Sequence, residues 1–84
     1  MNLNKRFRIV SRVFRAITDT TMEEEAELLE ISSSLLRRYE NNHRALSFDT
    51  YAKYTNKFCQ IIERYFPNET ELTFKFTLNA RQNY

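Results

Sequence analysis

Three serines, Ser32 to Ser34, two adjacent arginines, Arg37 and Arg38, and a short segment Asn42-His43-Arg44 stand within thirteen positions of one another. Guanidinium groups next to short hydroxyl side chains suit hydrogen bonding to a polyanion, because arginine can hold a guanine edge or a phosphate through two parallel donors. Arginine pairs also occur on ordinary solvated helix faces, so the setting has to decide. Catalysis has little to work with: one histidine, His43, and one cysteine, Cys59, supply no triad, no phosphate-cradling loop and no metal-ligand spacing within a subunit. An enzyme is not expected, nor is a metal or any other cofactor.

The elements that must position those side chains are legible upstream. Thr20 to Asn41 reads as two short helices joined by a tight corner. Thr21 suits an N-cap, Glu24 three residues on closes a capping box, and Glu23 to Glu25 suit the positive end of a helix dipole. A helix is expected over Met22–Leu29. Ser32 then restarts the chain as a second N-cap after only Glu30 and Ile31, which leaves room for nothing but a sharp turn, and a helix over Ser33–Glu40 follows. Met22, Ala26, Leu29, Ile31, Leu36 and Tyr39 are spaced to bury one side of both helices, with Ala26 small enough for a helix crossing. Ser33, Ser34, Arg37 and Arg38 fall on the opposite, solvent side.

This stretch resembles the phage Cro and repressor type of helix-turn-helix domain, the lambda-repressor-like family, from about Arg12 to Phe58. The correspondents are Met22, Ala26 and Glu30, then Ser32 to Tyr39, then the pair Glu40-Asn41 and the loop Asn42-His43-Arg44. The resemblance implies an all-α domain of four to five helices that inserts its second motif helix into the major groove of DNA. It also implies a structural pair between Arg15 and Glu40. Three residues depart from the family pattern: Glu30 replaces the corner glycine, Glu25 stands where an apolar residue is usual, and Met22 replaces a polar residue that often touches phosphate. A non-glycine corner at positive φ costs about 1 kcal/mol.

On motif and charge placement together, Arg38, Ser33 and Ser34 are the expected base contacts, Arg38 as a bidentate partner of guanine O6 and N7. Ser32, Arg37, Asn42, His43 and Arg44 are the expected phosphate contacts, which fix register without reading sequence. The acidic run from Glu23 to Glu30 opposes contact with a phosphate backbone; its expected place is a solvated outer face that suits the helix dipole.

Length and composition bound the rest. Eighty-four residues make one domain, which buries only roughly 60–65% of the surface its unfolded chain exposes. A single cysteine excludes an internal disulfide, and no apolar run approaches the length of a membrane span. A bacterial cytoplasmic setting, beside the nucleoid when bound to DNA, is expected. Glycine is absent and proline occurs once, so helix is the default. The net charge of +2 is unevenly placed: residues 1–18 contribute +5, residues 19–30 contribute −6, residues 31–66 contribute +3, and the remainder is neutral. Local fields, not the total, choose a partner.

Leu3, Phe7, Val10, Phe14 and Ile17, with Val13 beside them, predict a first helix from about Asn4 to Thr18 and argue against a transit peptide. Ser47 suits the cap of a fourth helix, whose buried side is expected to hold Phe48, Tyr51, Ala52, Thr55, Phe58, Cys59 and Ile62. That helix can reach Tyr65 before Pro67, and a break near Thr55 to Lys57 stays open. Residues 1–66 thus form the expected DNA-binding domain and residues 67–84 a C-terminal strand and tail. In the latter, Leu72, Phe74, Phe76 and Leu78 alternate with polar residues, a half-buried strand signal without a second such segment to pair with. The economical partner is the same strand of a second copy, so a homodimer is expected.

The function expected is that of a homodimeric repressor or Cro-like transcriptional regulator of a phage or mobile element, acting on a palindromic double-stranded operator. No small-molecule ligand or membrane partner is expected. The alternative is a protein-docking module on the same scaffold, such as an antirepressor, a host-factor inhibitor or an antitoxin, using the acidic second helix and the apolar strand.

Overall fold

In a computed structural model, described over residues 2–65, the chain is all-helical: α1 (Leu3–Thr18), α2 (Met22–Leu29), α3 (Ser33–Glu40) and α4 (Phe48–Tyr65). The strand expected over Leu72 to Leu78, and with it the dimer seam, lies outside the described residues.

Each helix begins where a short polar side chain can accept backbone N–H groups that have no partner inside the helix. Asn2 accepts from Asn4 and Lys5, which starts α1 one residue earlier than its apolar repeat predicts. The capping box of α2 is complete: Thr21 Oγ1 accepts from Glu24 N at 3.1 Å, and Thr21 N donates to the Glu24 side chain at 2.9 Å. Ser32 accepts from Leu35 N and Ser47 from Thr50 N. With no glycine to end helices, Asp19 at φ 53° closes α1 and Glu30 at φ 61° closes α2. The α2–α3 corner therefore takes the left-handed backbone on a glutamate, which is the strained alternative to glycine. No break occurs in α4; Thr55 lies mid-helix with its hydroxyl donating back to Tyr51 O.

One core joins the four helices. Phe7, Val10 and Phe14 of α1 meet Ala26 and Leu29 of α2, Leu36 and Tyr39 of α3, Leu46, and Tyr51, Tyr54, Phe58 and Ile62 of α4. Its centre is aromatic: Phe14 stacks on Phe58 with centroids 4.3 Å apart, and Phe7 touches Tyr39 edge-on as well as Tyr54 and Phe58. Such rings add packing beyond their buried area. Two expectations need correction. Phe48 is 68% exposed, because it is the first residue of α4 and has no preceding helical turn to lean on, whereas Tyr54 takes an inward place. Glu25 is fully buried, not part of a solvated acidic face.

Candidate functional site

The inner side of α3 is fixed by three residues, Leu36, Tyr39 and Glu40, all buried. Leu36 and Tyr39 enter the core. Glu40 meets Arg15, whose guanidinium donates to both of its carboxylate oxygens at 2.7 and 3.1 Å. Arg15 also donates to Glu25, and Ser11 Oγ lies within hydrogen-bond distance of Glu25 Oε2 and 3.1 Å from Glu40 Oε2. Side chains from α1, α2 and α3 therefore meet in one polar seam beside an apolar core.

The charges in this seam do not balance. One guanidinium faces two carboxylates, and Ser11, which accepts from Arg15 Nη1, has a single hydroxyl proton for two carboxylate oxygens. Both Ser11 contacts are hydrogen bonds only when one carboxyl carries a proton. Burial pushes the Glu25 pKa above the ordinary carboxylate range, against the opposing pull of Ser11 and Arg15, so Glu25 is the group disposed to hold that proton. The hydrogen bond to Glu40, followed by the interactions with Glu25, raises the Arg15 pKa further and keeps it cationic.

A second anchor sits at the other end of α1. The buried Asn4 side chain donates to Tyr39 O at 2.9 Å and to Arg44 O at 2.7 Å, and accepts from Leu46 N at 3.1 Å. One amide thereby ties the end of α3 and the loop after it to the first turn of α1. Within that loop Asn42 takes φ 61° and His43 N donates to Arg38 O.

The outer side of α3 is open. Ser34, Arg37 and Arg38 are exposed and Ser33 is half-buried. Arg37 lies 3.9 Å from Glu23, with both side chains more than half exposed, a contact too loose and too wet to hold it. No carboxylate among the described residues pairs with Arg38. Ser32 is committed as the α3 cap yet exposed, with its hydroxyl proton left to donate outward. Asn42, His43 and Arg44 are exposed on the loop. The helix and the loop thus place seven exposed polar or cationic residues and the half-buried Ser33 on consecutive surface. Their chemistry is donation to anionic or acceptor-rich surfaces.

Asn4 and Ser11 belong to the seam and its anchor without standing out in the sequence, whereas Glu25 stands out there only as a charge at an apolar position; a signal for all three exists. Asn4, Ser11 and Arg15 follow one another at i, i+7, i+11 along the edge of the apolar stripe of α1. Glu25 occupies the apolar register of α2, between Met22 and Leu29. Among the described residues no group of histidine, cysteine and carboxylate side chains could hold a metal ion, and no helix is long and apolar enough to cross a membrane. Comparison of the chain with family models, curated proteins and solved structures finds no match.

Proposed function

We propose that the chain is a sequence-specific double-stranded DNA-binding regulator of the repressor or Cro type, with α3 as the helix that enters the major groove. The observation that carries this reading is the two-sidedness of α3: Leu36, Tyr39 and Glu40 brace it from within, while Ser34, Arg37 and Arg38 face outward. With its side chains an α-helix is about 10–12 Å across, which fits the roughly 12 Å width of the groove. The short corner at Glu30–Ser32 and the likeness of residues 12–58 to lambda-repressor-like domains support the same reading.

In this mechanism Arg38 reads a guanine, with Ser33 and Ser34 at neighbouring base edges, and Ser32, Arg37, Asn42, His43 and Arg44 hold phosphates. The serines are short, so the helix backbone can approach the base edges closely. A homodimer joined through residues 72–78 presents two such helices to half-sites about 34 Å apart. Bound in this way, the protein acts by occupancy, excluding polymerase or a competing regulator from the operator in a bacterial cytoplasm.

The test is a gel shift with the DNA flanking the gene. A shift at nanomolar to micromolar dimer that weakens steeply with salt supports the reading. No shift at micromolar dimer in low salt points to the docking alternative. That alternative draws on exposed Glu23, Glu24, Glu27 and Glu30 beside the part-exposed Leu28 of α2.

A further inference from the structure

Besides Arg15, α1 carries three exposed cations that have no part in the site described so far. Lys5, Arg8 and Arg12 are all exposed, and their i, i+3, i+7 spacing sets them in one row along the helix. No ion pair holds any of the three among the described residues. α2 meets the polar edge of α1 through Glu25, and no ion pair among the described residues joins its exposed glutamates to the row.

The position of the row is fixed by its neighbours. Arg8 and Arg12 follow Asn4 by one and two helical turns, and Arg15 follows Arg12 by one. Asn4 is the residue that grips Tyr39 O, Arg44 O and Leu46 N, and Arg15 the one that grips Glu40. The edge of α1 from which Arg8 and Arg12 project is thus the edge bound to the end of α3 and to the loop bearing Asn42, His43 and Arg44. The exposed cations of α1 lie along the helix edge that borders the loop bearing Arg44.

We propose that this row, Lys5, Arg8 and Arg12, is a second phosphate-binding surface that takes the backbone of the same duplex beyond the segment read by α3. The proposal rests on the DNA-binding reading above. It assigns α1 a share of the affinity and no share of the sequence discrimination, because ammonium and guanidinium groups on phosphates fix position without reading bases. It also gives Asn4 a positioning role, holding the loop and the row in register as one rigid surface.

The experiment is a fluorescence anisotropy titration of a labelled duplex of about two helical turns, cut from the DNA flanking the gene, over a series of potassium chloride concentrations. The full chain is compared with the triple variant Lys5→Gln, Arg8→Gln, Arg12→Gln, whose substitutions touch only exposed side chains and leave the fold in place, as circular dichroism checks. Each phosphate that the protein no longer neutralises flattens the slope of log K against log salt by about 0.9, so the variant slope is shallower by about 2–3 for each subunit bound, or about 5 for a dimer on both half-sites. A matching loss of affinity on an unrelated duplex supports phosphate binding. An unchanged slope with wild-type binding intact overturns the proposal and leaves the DNA-binding reading standing; a loss confined to one sequence overturns it as well. Absence of salt-dependent binding by the wild-type chain overturns both.

Discussion

The seam where α1, α2 and α3 meet and the outer face of α3 are built from the same chemistry in opposite surroundings. In the seam, Arg15 is largely buried and engages two carboxylates and a hydroxyl. On the outer face, Arg38 has water around it and no carboxylate partner among the described residues. An arginine that has left water must keep its partners, since a buried unpaired charge is costly, whereas an exposed arginine can be lent to any polyanion. Stability and partner recognition are therefore separable in this chain, and substitutions should separate them.

Substitution in the seam should cost most. Arg15→Ala strands Glu25 and Glu40 without their cation and is expected to cost ~3–5 kcal/mol, read as a shifted urea midpoint. A change below about 0.5 kcal/mol, the level of an ordinary surface site, would erase the distinction between the two arginines. On the outer face Arg38→Ala should leave that midpoint within about 0.5 kcal/mol. Its expected effect is a decrease of ~1–3 kcal/mol in binding to the preferred duplex, with discrimination relaxed at one base pair. Arg44→Ala, by contrast, should weaken all duplexes alike and flatten the salt slope.

Next in size is the corner that sets the two faces. Glu30 holds φ 61° without glycine, so Glu30→Gly should stabilise by up to ~1 kcal/mol in thermal unfolding. A destabilisation of that size would mean that the glutamate side chain, not its backbone, matters there.

A smaller effect concerns the proton shared within the seam. Burial raises the Glu25 pKa in the folded chain above its unfolded value of about 4.3, so folding favours the protonated form. Its contribution to stability is fully present below about 4.3 and is lost as pH rises through the folded value. Glu25→Gln, which keeps the shape and has no proton to lose, should flatten this part of the stability curve. Parallel curves for the two chains would place the shared proton elsewhere.

All four described helices are legible in the sequence because caps and apolar periodicity agree locally: Thr21 with Glu24, Ser32, Ser47, and the repeat from Phe7 to Phe14. Glu25 reads as solvated because it stands among other glutamates, and charge runs usually face water. Its inward place depends on Ser11, Arg15 and Glu40, which lie 14, 10 and 15 residues away, and such a seam emerges only when three helices are assembled. Asn4 is hidden in the sequence for the same reason, as its partners are backbone atoms some 35 to 42 residues distant. Phe48 errs in the other direction: it fits the apolar repeat of α4, but a first-turn residue needs a neighbour beyond the helix to cover it. At the outer face of α3, exposure of Arg38 is readable from helical periodicity alone.

The functional reading turns on whether the outer face of α3, and not the acidic face of α2, meets DNA. Amide chemical-shift mapping of the labelled protein, with and without the flanking duplex, tests this directly. Perturbations are expected to concentrate over residues 32–44 and along the exposed row of α1, with little change at Glu23, Glu24 and Glu27. Shifts centred on those glutamates and Leu28, or none at saturating duplex, would contradict it.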